Sequence, residues 1–179
     1  LRAFIAVEIP SAVRQQIEHT VSGFKSYALP VKWVSSGNLH VTLRFLGEID
    51  AEKKAGVDAV VKEISLGQSR FVVGLEGIGC FPDPRNPRVI WTGIKEGADE
   101  LSGIAEKIET GLCSIGFEKE KRFHPHLTIG RIKKPCRIDP ILTYTFRSEP
   151  FQVDSITLYQ STLKPSGPIY TALNHYQLA

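Results

Sequence analysis

The apolar positions of this chain change period several times, and the changes mark its elements. Residues 2–9 form a mostly apolar run that stops at Pro10 and reads as a buried strand. Val13, Ile17, Val21 and Phe24 then recur at helical spacing behind Ser11, a residue suited to an N-cap, and Ala28-Leu29-Pro30 closes that helix. Residues 31–34 and 39–46 read as strands joined by Ser35-Ser36-Gly37-Asn38, which is turn chemistry. Asp50 is placed to cap a second helix running to about Leu66. Its apolar side (Ala51, Ala55, Ala59, Val60, Ile64) is weak and predicts a surface position. Residues 71–75 and 88–94 read as strands on either side of a Gly- and Pro-rich loop, 77–87. Leu101, Ile104, Ala105, Ile108, Leu112 and Ile115 make the apolar stripe of a third helix, with Gly116 as its stop. Residues 123–132, 141–146, 151–160 and 170–176 read as further strands. Lys164-Pro165-Ser166-Gly167-Pro168 is the turn between the last two. Strands outnumber helices and several connections are too short for crossovers, so the class is α+β with mainly antiparallel sheet. No linker or low-complexity segment divides the chain, and residues 1–179 are expected to form one domain of two lobes.

Composition narrows the function classes. A hydrophobic fraction of 42% and a charged fraction of 23% are ordinary for a globular protein. The net charge of +3 permits an anionic substrate but falls short of a nucleic-acid-coating tail. The three cysteines are widely spaced and form no CxxC pair. They suggest neither a disulfide framework nor a cysteine zinc site, and reduced thiols in the cytoplasm are the expectation. The N-terminal apolar run is interrupted by Glu8 and is too short for a signal-peptide core, and no stretch is long enough to span a membrane.

Candidate chemistry sits in a repeated pattern. His40-Val41-Thr42-Leu43 and His126-Leu127-Thr128-Ile129 both read His-x-Thr-x in an apolar setting. In a strand, residues i and i+2 share a face, so each copy presents one imidazole and one hydroxyl on an apolar backing. Histidine titrates near neutrality. A neutral imidazole can take a proton from an attacking water while a protonated one supplies the departing alkoxide. Each transfer is worth roughly 10²–10⁴ in rate. The threonine hydroxyls can donate to the non-bridging oxygens of a phosphate. None of this requires a metal, and the sequence has no GxxxxGK[ST] phosphate loop and no GxGxxG after a strand.

Other residues admit two readings. Strict alternation puts Arg131 on the face opposite His126, and a bulge at Gly130 would turn it back. Arg131 is either an anion contact or a solvated surface residue. Arg44 shares parity with His40 and Thr42 but is expected to be exposed at a strand end. Trp33 and Phe123 are stacking platforms or, more in keeping with lone aromatics, packing residues. Phe81, with Arg85 and Arg88, either borders a nucleotide site or belongs to a plain hairpin connection. His19 and His175 carry no pattern.

The paired motifs in their contexts resemble the 2H phosphoesterase superfamily, and within it the RNA 2′,3′-cyclic phosphodiesterases, also called the 2′-5′ RNA ligase family. The resemblance runs nearly end to end. It covers residues 2–7, Trp33-Val34, residues 38–48, Phe81-Pro82, Pro87-Arg88-Val89, Trp91, residues 124–131 and Ser166-Gly167-Pro168-Ile169-Tyr170. Gly130 departs from the alanine or other small residue common in relatives. The resemblance implies two similar lobes with helices on the outer faces, a pseudo-two-fold axis and an active site in the central cleft. It implies hydrolysis of a terminal RNA 2′,3′-cyclic phosphate to a 2′-phosphate, with ligation as the formal reverse. His40 would be the proton donor and His126 the proton acceptor, while Thr42, Thr128 and Arg131 would bind the phosphate. No cofactor and no metal are implied. The partners would be RNA ends or oligonucleotides, tRNA halves among them, acted on by a cytoplasmic monomer.

Two other readings remain open. His124 shares parity with His126, and with His40 it could form a metallohydrolase site, although no carboxylate stands at a suitable offset to extend it. The same groove could also belong to a non-catalytic module that binds RNA ends.

Overall fold

In the computed structural model, which describes residues 1–179, the elements follow in the order β1 (Arg2–Glu8), α1 (Ser11–Lys25), β2 (Val31–Trp33), a 3-10 turn at Ser36–Asn38, β3 (His40–Glu48) and α2 (Ala51–Leu66). They continue with β4 (Phe71–Phe81), β5 (Val89–Glu96), α3 (Ala98–Ser114), β6 (His126–Ile132), α4 (Asp139–Leu142), β7 (Phe151–Val153), β8 (Ser155–Lys164) and β9 (Gly167–Gln177). All strand pairs are antiparallel. They form two sheets, of order β3-β1-β8-β9 and β2-β6-β5-β4-β7. The class is α+β, and the two sheets touch through β3 and β6, the strands that carry the two motifs.

Each half of the fold repeats one scheme. A buried strand (β1 or β5) leads into a long helix, and the chain returns antiparallel to that strand as a motif strand (β3 or β6). The helices are exchanged between the sheets. Following β1, α1 buries Ile17, Thr20 and Val21 against Ile78, Thr92 and Ile129 of the second sheet. Following β5, α3 packs on β3 of the first sheet beside α2. Its Leu101, Ile104, Ile108 and Leu112 are fully buried. One connected apolar core runs through both halves.

Several elements differ from the sequence pattern, each for a physical reason. Ser11 is the first helical residue of α1 and Pro10 its cap, with no side-chain cap bond. Asp50 does cap α2, its carboxylate accepting from the Lys53 amide at 2.8 Å. The buried stripe of α2 is Val57 and Val61, not the alanine side, because α2 meets α3, β8 and β9 at that angle. Residues 77–81 do not belong to a loop. They extend β4, with Gly77 at φ 83° absorbing a bulge, so the connection shrinks to residues 82–88. Ile115 falls past the end of α3 and is 42% exposed. Residues 123–125 are not strand, and β6 begins at His126.

Residues 141–146 are likewise not a strand; α4 forms there, with Pro140 in its first turn. The run 151–160 breaks at Asp154 into β7 and β8, which serve different sheets. The β8–β9 turn is only Pro165-Ser166, because Lys164 and Gly167 already pair.

If the valine face is the one that holds α2, Val61→Ala should cost about 2 kcal/mol. Ala55→Lys, on the alanine side, should stay within about 0.5 kcal/mol. Urea unfolding of the two variants measures both values, and equal costs would contradict the packing described.

Candidate active site

Both motif strands carry one extra residue directly after the His-x-Thr run. Along β1 and β3, Glu8 stands opposite His40 and Ala6 opposite Thr42, but Ile5 stands opposite Arg44. Leu43 is therefore a bulge. Along β5 and β6, Trp91 stands opposite Thr128 and Ile90 opposite Gly130, which makes Ile129 the bulge. A bulge of one residue reverses which face the following side chains take. Its effects match in the two strands. Leu43 and Arg44 both turn inward, as do Ile129 and Gly130, and the next residues, Phe45 and Arg131, return to the face of the histidines.

The expectation that Arg44 would be an exposed charge on the histidine face is thus corrected. Arg44 is 7% exposed on the opposite side, paired to Glu109 of α3 at 2.7 Å. At the matching place in β6 there is no room for a side chain. A Cβ on Gly130 would come within 2.8 Å of Val31 and 2.9 Å of Trp33. Trp33 is engaged in packing on Phe24, with ring centroids 5.9 Å apart, and Phe123 packs on the edge of the core.

The two histidines are held in the same way. Nδ1 of His40 lies 2.6 Å from the carbonyl of Asn38, and Nδ1 of His126 lies 2.6 Å from the carbonyl of His124. A carbonyl oxygen can only accept, so each Nδ1 carries the hydrogen. In the neutral ring the lone pair is then on Nε2, and Nε2 is the atom left for chemistry. Each ring also meets an aromatic edge at the same distance: Tyr170 lies 5.1 Å from His40 at 82°, and Phe81 lies 5.1 Å from His126 at 87°. Phe4 stacks on His40 at 4.8 Å and itself meets Tyr170 edge-on at 4.8 Å, so the three rings form one cluster. Thr42 and Thr128 stand half-buried on the histidine face of their strands.

Electrostatically both rings are disposed to be neutral. Burial pushes His40 from its ordinary 6.5 down to about 4. The bond to the Asn38 carbonyl opposes that fall, and the charges of Arg14 and Arg131 add to it. His126 is also lowered by burial, against the bond to the His124 carbonyl and with help from the charges of His124 and Arg131. Arg131 is thus close enough to act on both histidines, and on Tyr170 as well. It is the charged group common to the two halves of the site. Arg14, from α1, also donates to the Ser36 carbonyl at 2.7 Å and so steadies the turn that delivers Asn38 and His40.

The alternative metal donor set of His40, His124 and His126 is not assembled. No three His, Cys, Asp or Glu side chains form a group that could hold a metal ion. Three contributors escaped the sequence reading: the carbonyls of Asn38 and His124, and the charge of Arg14. A main-chain acceptor has no signature in residue type, and Arg14 lies on a helix whose neighbours are fixed only by the fold.

Known proteins resemble this chain along nearly its whole length. The family model described as LigT like Phosphoesterase matches residues 7–91 and 93–170. An RNA 2′,3′-cyclic phosphodiesterase of Archaeoglobus fulgidus is 35% identical over 99% of this chain and 100% of its own length. Among solved structures, TT0787 of Thermus thermophilus superposes with a TM-score of 0.88 at 29% identity, covering 99% of this chain and 98% of that one. Escherichia coli LigT complexed with 3′-AMP superposes with a TM-score of 0.80 at 28% identity, covering 99% and 97%. Two bulged His-x-Thr-x strands meeting between two sheets, matched by sequence and by fold over essentially the whole chain, make this protein a member of the LigT-like phosphoesterase family.

Proposed function

We propose that this protein hydrolyses the 2′,3′-cyclic phosphate at the end of an RNA to a 2′-phosphate, by acid–base catalysis between His40 and His126 and without a metal. The observation that carries the reading is the matched pair of imidazoles, each with Nδ1 tied to a main-chain carbonyl and Nε2 free, both within the field of Arg131. Relatives similar over their full length bear the name of this activity. In the reaction, Nε2 of His126 takes a proton from water as its oxygen bonds to phosphorus. The bond from phosphorus to the 3′-oxygen breaks, and Nε2 of His40 supplies that oxygen with a proton. Thr42, Thr128 and Arg131 hold the non-bridging oxygens, where charge accumulates. Both histidines then exchange protons with solvent to reset. The same steps reversed would join an RNA 5′-hydroxyl to a cyclic phosphate. We place all of these groups in one domain spanning residues 1–179, working as a cytoplasmic monomer. RNA ends and oligonucleotides are the substrates, tRNA halves among them.

One observation favours a second assignment of roles. His40, the donor in this scheme, is buried more deeply in apolar and aromatic surroundings, and its proton is the harder to hold. Exchanged roles would make His126 the acid and His40 the base. A nucleotide ester with a p-nitrophenolate leaving group separates the two, because that leaving group needs no acid. Under the first assignment His40→Ala retains substantial turnover of the ester and His126→Ala does not; under the second the pattern inverts.

On a cyclic nucleotide, His40→Ala and His126→Ala are each expected to lower kcat by a factor on the order of 10² or more. Activity should persist in excess EDTA, and abolition by the chelator would remove the metal-free mechanism. The pH dependence follows from the two lowered imidazoles. Free protein must present one protonated and one neutral ring, so kcat/KM should peak below pH 6.5 and decline as pH rises past both values. A bound phosphate brings negative charge beside both rings and raises them, so kcat should peak at a higher pH than kcat/KM. A kcat/KM that climbs steadily to pH 8 is the opposing result.

A further inference from the structure

The segment between α3 and β6, residues 115–125, has no regular structure and is largely exposed, yet it delivers His126 and the carbonyl that orients it. Phe117 and Phe123 pack on the core, and the polar anchorage between them comes from the other half of the molecule. Arg44, turned inward by the bulge at Leu43, donates to the carbonyl of Glu118 at 2.6 Å and to the carboxylate of Glu109 at 2.7 Å. It also donates to the carbonyl of Phe45 and lies 3.3 Å from the carboxylate of Glu120. The second oxygen of Glu109 accepts from the Glu120 amide at 2.7 Å. The guanidinium therefore fixes the segment at two residues: at 118 through its carbonyl, and at 120 both directly through its carboxylate and by way of Glu109. A planar fork of five donors can bridge a carboxylate and two carbonyls at once, whereas an ammonium is a point charge.

We propose that Arg44 is a positioning residue for His126. From the strand of the first histidine it holds the approach of the second, and so sets where the His126 ring stands relative to His40. Arg44 does not face the cleft and touches no reacting atom. Its effect passes through the chain from Glu118 to His124, whose carbonyl receives the Nδ1 hydrogen of His126. The inference rests on the reading of the two histidines as the acid–base pair.

The experiment is Arg44→Lys, which keeps the positive charge between Glu109 and Glu120 but cannot span the carbonyls. Two readouts are taken on the full chain: turnover of adenosine 2′,3′-cyclic phosphate, and imidazole titration by NMR. The expected result is a fall in kcat of about tenfold or more with KM within about twofold, as for loss of alignment rather than of binding. In the same variant the His126 titration should move toward that of a free imidazole by about half a pH unit, as the loosened ring regains water, while His40 stays put. Should Arg44→Lys not fold, Glu109→Gln weakens the same clamp from its other end and carries the same readouts. Unchanged kcat with an unchanged His126 titration overturns the proposal. A fall in kcat with His126 unmoved overturns it too, because the effect would then lie elsewhere. If the unaltered protein turns over no cyclic phosphate, the phosphodiesterase reading fails, and the His126 titration still decides whether Arg44 positions the ring.

Discussion

The cleft depends on the exchange of helices between the two sheets. Tethered to β1 of the first sheet, α1 buries Ile17, Val21 and Phe24 toward the second; tethered to β5 of the second, α3 buries Leu101, Ile104, Ile108 and Leu112 toward the first. Full burial of such a side chain contributes roughly 1.5–3 kcal/mol. Parting the halves would expose both stripes, and even at the low end the loss is comparable with the roughly 5–15 kcal/mol by which a typical domain is stable at all. Parting the halves is therefore costly, and the apolar core that runs through both holds β3 beside β6.

On that scaffold, the bulges at Leu43 and Ile129 give symmetric geometry with asymmetric content. Without them, Arg44 would stand in the cleft and Arg131 outside it. With them, the inward position after the first motif holds an arginine that ties two halves together, and the corresponding position after the second holds a glycine under Val31 and Trp33. The outward positions hold a phenylalanine, 54% exposed, and an arginine whose charge reaches both histidines. One side of the cleft thus carries positive charge where the other carries an aromatic ring.

What the sequence disclosed and what it hid divide along physical lines. The strand β1 was legible as an apolar run, the first halves of β3 and β6 as alternation, and α3 as a helical stripe. The pair of His-x-Thr-x runs was legible because a repeated i, i+2 pattern implies a shared face. Phe151 to Gln160 looked like one strand because nothing in residue type says that a chain changes sheet at Asp154. The strand through Gly77–Phe81 was hidden because glycine ends a strand in one context and bulges it in another. Arg44 was misplaced because alternation was carried across a bulge, where it reverses. The neighbours of each histidine, Tyr170 and Phe4 on one side and Phe81 on the other, come from strands far apart in the chain, and only the pairing of those strands brings them together.

The bonds from the histidine rings to main-chain carbonyls bear on how such a site can vary. Asn38 and His124 have little in common as side chains, yet they orient their imidazoles identically, because every amino acid supplies the same carbonyl. Had carboxylates done this work, two more positions would be locked to acidic residues. Here residues 38 and 124 are released to drift or to take up tasks of their own, as Asn38 does in reaching the Pro168 carbonyl at 3.0 Å. Divergence among descendants of such a protein can then accumulate beside the two imidazoles without changing which ring nitrogen carries the hydrogen.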